Sequence, residues 1–71
     1  MAKKDVIVQD GEVIKVEANG ICRVQLKNGH TVVAMRAGKM KQHRISLLVG
    51  DTVRLEISPY DLNRGRIVFR Y

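Results

Sequence analysis

The sequence predicts an all-β fold, a single five-stranded barrel with a short helical turn between its third and fourth strands. Three observations carry that expectation. Apolar and polar residues alternate with period two along several short runs. The dipeptides Asn19-Gly20, Asn28-Gly29 and Gly50-Asp51 separate those runs with turn chemistry. The apolar fraction of 45% is made of Val, Ile and Leu, with one Phe, two Tyr and no Trp, a composition that suits a pleated surface. At 71 residues there is room for one domain over residues 1–71. A domain of this size buries only about 60% of its unfolded surface, so the core must be modest.

The first strand runs from Val6 to Val16, and Asp10-Gly11 within it is expected to bulge or bend. Glu17-Ala18-Asn19-Gly20 then turns the chain into a second strand, Ile21 to Leu26, whose Cys22, Val24 and Leu26 share the side assigned to the core. After Asn28-Gly29 a third strand, His30 to Arg36, completes a meander. Residues 37–44 lose the alternation and are expected to form the helical turn or an ordered loop. Gly50-Asp51 opens a fourth strand in which Val53, Leu55 and Ile57 alternate with Thr52, Arg54 and Glu56. Ser58 to Asn63, with the only proline, is expected to be a longer connection. In the fifth strand, Arg64 to Arg70, strict alternation assigns Ile67 and Phe69 to the core and Arg64, Arg66, Val68 and Arg70 to the opposite face. A meander, an insert and two further strands follow the order of an OB-fold, whose closure removes most exposed strand edges.

The formal charge is +6 with a pI near 10.0, and the charge is unevenly spread. Asp5, Asp10, Glu12 and Glu17 all precede residue 18, whereas Ala18 to Gly50 contains no acid and carries Arg23, Lys27, Arg36, Lys39, Lys41 and Arg44. Segregation of this kind points to a polyanionic partner rather than to an evenly solvated surface. Lys39, Lys41 and Arg44 in the insert and the arginines of the fifth strand are the long cationic side chains that phosphate contacts require. Met40, among those cations, suits a core plug or a ligand contact equally. Phe69 is expected in the core, with Tyr60 in a connection and Tyr71 last in the chain. No aromatic platform for stacking single-stranded bases is therefore expected, and the pattern favours a folded RNA read through backbone and shape.

Other classes find little support. The lone Cys22 has no internal disulfide partner, and nothing after Met1-Ala2-Lys3-Lys4-Asp5 has signal-peptide character, so a reducing cytoplasmic setting is expected. Lys or Arg interrupts every apolar stretch well short of the roughly 20 residues that span a bilayer. His30, His43 and Cys22 do not sit at metal-ligand spacing, and no cofactor is expected. No nucleophile and base can be paired, and Glu56 and Asp61 lack an acid-base partner, so no enzyme is expected.

Asn28-Gly29-His30, Gly38-Lys39-Met40, Gly50-Asp51, Pro59-Tyr60-Asp61-Leu62 and Gly65-Arg66-Ile67-Val68-Phe69-Arg70 occur in this order over nearly the whole chain. Together they resemble bacterial translation initiation factor one. The resemblance implies a single S1-like OB-fold RNA-binding domain that occupies the aminoacyl-tRNA site of the small (30S) ribosomal subunit. There it would contact rRNA of the decoding region and an adjacent ribosomal protein, block premature tRNA entry, and support the second and third initiation factors, as a monomer with no catalytic role. Carried onto this sequence, the rRNA contacts fall on Lys39, Met40 and Lys41, on Arg64 and Arg66, and on Arg23 and Lys3. Arg44 and Arg70 complete the candidate set on charge. The family usually has an aromatic where this chain has Arg44, a basic residue at Ser46, and often an aromatic at Cys22. The alternatives are an Sm-like RNA-binding ring, suggested by Val24-Gln25-Leu26-Lys27-Asn28-Gly29, a general RNA chaperone, and a module that binds an acidic protein.

Overall fold

The computed structural model describes residues 6–17, 20–36, 38 and 46–71. The helical turn expected over residues 37–44 lies, apart from Gly38, outside the described residues, as do Lys3, Lys39, Met40, Lys41 and Arg44. Five strands form: β1 (Ile7–Val16), β2 (Ile21–Leu26), β3 (Thr31–Arg36), β4 (Thr52–Ser58) and β5 (Asp61–Arg70). They close into a barrel in the order β1-β2-β3-β5-β4, with β4 returning to β1. Every pairing is antiparallel except β3 with β5, which is parallel. This is the arrangement of an OB-fold.

Turn chemistry sets the local registers. Gly29 takes a φ of 89°, its N–H donates to the Leu26 carbonyl at 2.9 Å, and the Asn28 carboxamide oxygen accepts the His30 N–H at 2.9 Å. An L-residue with a side chain resists that φ, which is why Asn-Gly closes this hairpin. Before β4, the Asp51 carboxylate accepts the Leu48 N–H at 2.9 Å while the Asp51 N–H donates to the Leu48 carbonyl at 3.0 Å. Val13 then receives the turn, its N–H donating to the Asp51 carbonyl at 2.9 Å and its carbonyl accepting the Gly50 N–H at 2.8 Å.

Alternation fills the barrel. Val13, Cys22, Val24, Leu26, Val32, Ala34, Val53, Leu55, Ile57 and Ile67 point inward, and Leu47, outside any strand, plugs the core as well. No polar or charged residue is buried among the described residues. Burial pushes the Cys22 thiol above its ordinary range, with the Arg36 charge opposing part of that shift.

Three expectations are corrected. Asp10-Gly11 is not where β1 bulges. Gly11 pairs with Leu26 on one side and Val53 on the other, and the register shifts further along, at Ile14. A Cβ at Gly11 would lie 2.6 Å from Val24 Cγ1 and 2.8 Å from the Gln25 carbonyl, so the glycine permits two strands to close on one another. The Ser58–Asn63 connection is in fact the tight turn Pro59-Tyr60, with Ser58 opposite Asp61 and the Ser58 hydroxyl accepting the Tyr60 N–H at 3.1 Å. The polar residues that follow belong to the start of β5, where the register with β4 shifts and Arg64 pairs with Val33 of β3.

The third correction moves Phe69 out of the core. Leu55 opposes Ile67 but Arg54 opposes Phe69, so Val68 is an extra residue that resets the alternation. Phe69 is 50% exposed on the outer surface, edge-on to Tyr71 with ring centroids 5.1 Å apart. The Arg54 guanidinium lies 5.9 Å from the Phe69 centroid and 5.4 Å from that of Tyr71. Two of the three rings, Phe69 and Tyr71, therefore meet on the outer side of the barrel. Tyr71 also ties the chain end down: its N–H donates to the Thr52 carbonyl at 3.0 Å, its hydroxyl donates to Asp10, and it accepts from Arg54 Nη2 at 2.6 Å. The same reset turns Arg70 away from Arg64 and Arg66, placing it opposite the inward-facing Val53 at the barrel end, where Nη1 donates to the Ser46 carbonyl at 3.1 Å.

Two outcomes follow from this packing. In urea melts, Leu55→Ala should lose about 3 to 5 kcal/mol through the cavity it leaves, whereas Phe69→Ala should lose only about 1 kcal/mol, the scale of an edge-on ring pair. Equal losses would return Phe69 to the core. Cys22 should stay unreactive toward a thiol reagent in the native protein. Because its folded pKa is raised, its burial adds stability at and below the ordinary thiol range and loses it as pH rises through the raised value. Labelling at alkaline pH should thus track unfolding.

Candidate nucleic-acid interface

The inward set determines the outward one. With Cys22, Val24, Val32, Ala34 and Ile67 in the core, the intervening Arg23 of β2, Val33 and Met35 of β3, and Arg64 and Arg66 of β5 emerge on one outer face. Strand pairing then aligns them in two rows. Lys15 opposes Arg23, Arg23 opposes Val33, and Val33 opposes Arg64. In the second row Ile21 opposes Met35, Met35 opposes Arg66, and Arg66 opposes Glu56 of β4. Neighbouring strands stand about 4.8 Å apart, so each row is a continuous strip across the sheet.

The result is an apolar centre with cations on both flanks. Val33 and Met35 are 39% and 48% exposed, a substantial apolar area for outward positions. Flexible cationic side chains beside such a surface can reach phosphates while ribose or base edges rest on the aliphatic and thioether groups. Charge reasoning alone did not find Val33 and Met35. The available signal was that both hold the solvent side of a strand whose other side is already apolar.

Each arginine on this face has an acidic neighbour. Arg23 Nε donates to Glu17 at 2.6 Å, and the Arg23 guanidinium holds the Glu17 carboxyl below the usual carboxylate range. Arg66 Nη2 donates to Glu56 at 2.7 Å. Arg64, with a side chain 82% exposed, has its Nε 3.6 Å from Asp61. The Arg66–Glu56 pair is open to solvent on the arginine side, and a pair of this kind contributes roughly 0 to 1 kcal/mol. These guanidiniums are therefore oriented without being locked.

Of the candidate contact residues, the structure brings Arg23, Arg64 and Arg66 together and sets Arg70 apart at the barrel end. The insert's described flanks, Arg36 and Ser46, line one depression with Glu17, Gly20 and Leu47. His30 is engaged structurally, its Nε2 2.9 Å from the Leu62 carbonyl. No group of three His, Cys, Asp or Glu placed to hold a metal occurs among the described residues. No helix among them is long and apolar enough to cross a membrane.

A closed five-stranded OB barrel with a cationic, aromatic-free strip across β2, β3 and β5 defines a nucleic-acid-binding module of the RNA-reading kind. Comparison with known proteins narrows the class. The model of the family described as translation initiation factor 1A / IF-1 matches residues 3–71. The solution structure of the translation initiation factor IF-1 from the Wolbachia endosymbiont strain TRS of Brugia malayi superposes with a TM-score of 0.80 at 31% identity, covering 97% of this chain and 82% of that one. The chain belongs to the translation initiation factor 1A / IF-1 family, which sets the Sm-like alternative aside. YjeQ from Thermotoga maritima and YloQ, a circularly permuted GTPase, each superpose with a TM-score of 0.74 at 21% and 19% identity. In both cases 92% of this chain is covered against 23% of the other, and at such identity the likeness shows the fold alone.

Because its ion pair is exposed, Arg66→Ala should shift the urea midpoint by the equivalent of no more than about 0.5 to 1 kcal/mol. An early-melting variant would mean that Arg66 serves the barrel rather than its surface.

Proposed function

We propose that this translation initiation factor binds the small ribosomal subunit at the aminoacyl-tRNA site, in the cytoplasm, as a monomeric single RNA-binding domain. It contacts rRNA of the decoding region and an adjacent ribosomal protein, blocks premature tRNA entry, and supports the second and third initiation factors. Its action is occupancy and requires no bond-breaking step. The observation that carries this reading is the paired strip in which Val33 and Met35 lie between Arg23 on one side and Arg64 and Arg66 on the other. A folded RNA presents phosphates at fixed separations, and a rigid sheet holding cations on either side of an apolar centre suits it better than a mobile single strand. The rRNA contacts are assigned to Arg23, Arg64 and Arg66 on this face, to Lys39, Met40, Lys41 and Arg44 in the insert, to Lys3, and to Arg70 from the barrel end.

Competition binding to isolated small subunits tests the reading. Arg64→Ala and Arg66→Ala should each weaken binding by about 1 to 3 kcal/mol, the scale of a charge-assisted contact, while large subunits remain unbound. With about five phosphate contacts, log affinity should fall against log salt with a slope of about −3 to −5 from counterion release. A flat salt response, or full binding by Arg66→Ala, would reject the assignment.

A further inference from the structure

The acids beside the arginines have no part in phosphate contact, yet one of them is placed by the sheet itself. Glu56 stands directly opposite Arg66 in the β4–β5 ladder, and its carboxylate lies 2.7 Å from Nη2. Its side chain is the more buried partner, 25% exposed against 51% for the arginine. Glu17, just past the end of β1 and outside the ladder, accepts a hydrogen bond from Arg23 Nε at 2.6 Å. With Asp61 beside Arg64, three of the chain's seven acids stand next to arginines of this face, against thirteen Lys and Arg in all.

We infer that Glu56, together with Glu17, is a specificity-determining residue that biases the strip against unstructured RNA. The inference rests on the function proposed above. A guanidinium has five N–H donors in a planar fork, and the hydrogen bond to Glu56 engages one of them. Glu56 thus orients Arg66 without locking it, and the arginine's remaining donors stay available on a side chain that is 51% exposed. A folded RNA whose phosphate arrives on that exposed side binds the oriented fork with Glu56 still in place. A mobile single strand has no fixed approach, so its phosphates meet the carboxylates in many of the poses that reach the arginines, and each such pose is repelled. Repulsion of the wrong partner alongside attraction of the right one is how charged surfaces discriminate. Arg23 and Arg66 lie on opposite sides of Val33 and Met35, so a ligand must satisfy both acids at once.

The test measures Glu56→Gln, Arg66→Ala and the double variant against two probes, isolated small subunits and a short uridine homopolymer, across a salt series. Glu56→Gln keeps the shape and removes the charge. Its affinity for the homopolymer should rise about two- to fivefold, the equilibrium weight of an exposed ion pair, with a steeper salt slope. Affinity for subunits should stay level or fall, so that the ratio between the probes narrows, and the gain on homopolymer should vanish in the double variant. Glu17→Gln should move the ratio in the same direction, which keeps the test open if one variant melts early. An equal gain on both probes, no gain on either, or a gain that persists without Arg66 overturns the inference. A parent that binds subunits while the ratio stays fixed rejects this inference alone; a parent that does not bind them rejects the proposed function as well.

Discussion

The parallel pairing of β3 with β5 is the constraint from which the candidate surface follows. The other neighbours in the barrel are antiparallel, and the β2–β3 and β4–β5 hairpins need only a tight turn. β3 and β5 are separated by the insert and by β4, so their pairing forms only if the chain closes on itself. That closure costs loop entropy, which the interior contacts of Val32, Leu55 and Ile67 offset by burying apolar surface from three strands together. Once formed, the pairing places Val33 beside Arg64 and Met35 beside Arg66. Residues distant in sequence thereby become one strip.

The bulges are the second structural decision. At Ile14 the extra residue lets β1 pair with β2 beyond Val13 while its earlier half pairs with β4. At Val68 the extra residue divides the final stretch of β5 into two roles. Phe69 moves outside to stack with Arg54 and Tyr71, and Arg70 turns to the barrel end against Ser46. Two outer surfaces of different character result. One is an aromatic and cationic clasp joining Asp10, Arg54 and Tyr71 across β1, β4 and the chain end. The other is the strip of β2, β3 and β5, with cations and an apolar centre but no ring.

The strip also shows why net charge is a poor guide to the local field. The excess of cations is real, but the arginines that share the strip each have a carboxylate within reach, at Glu17, Glu56 and Asp61. The local field there is patterned rather than uniformly positive. Such a pattern favours a partner whose charges are fixed in space, because only fixed charges can meet the cations without also meeting the acids.

Much of this was legible in the residues themselves. Period-two alternation and the Asn28-Gly29 turn define the meander, Val53, Leu55 and Ile57 define β4, and the order of strands with one insert defines the barrel, because each of these signals is local. Arg64 and Arg66 were legible as outward-facing for the same reason. What only the tertiary structure decided were the features that depend on a partner strand. Gly11 reads locally as a bend, and its need for close approach exists only once Val24 and Gln25 lie against it. Phe69 reads as core because alternation was carried through Val68, and a bulge that no glycine announces reverses every side chain after it. Val33 and Met35 became the centre of the strip, and Glu56 and Glu17 its counter-ions, only when the barrel closed. Alternation is a property of one strand, whereas register is a property of two.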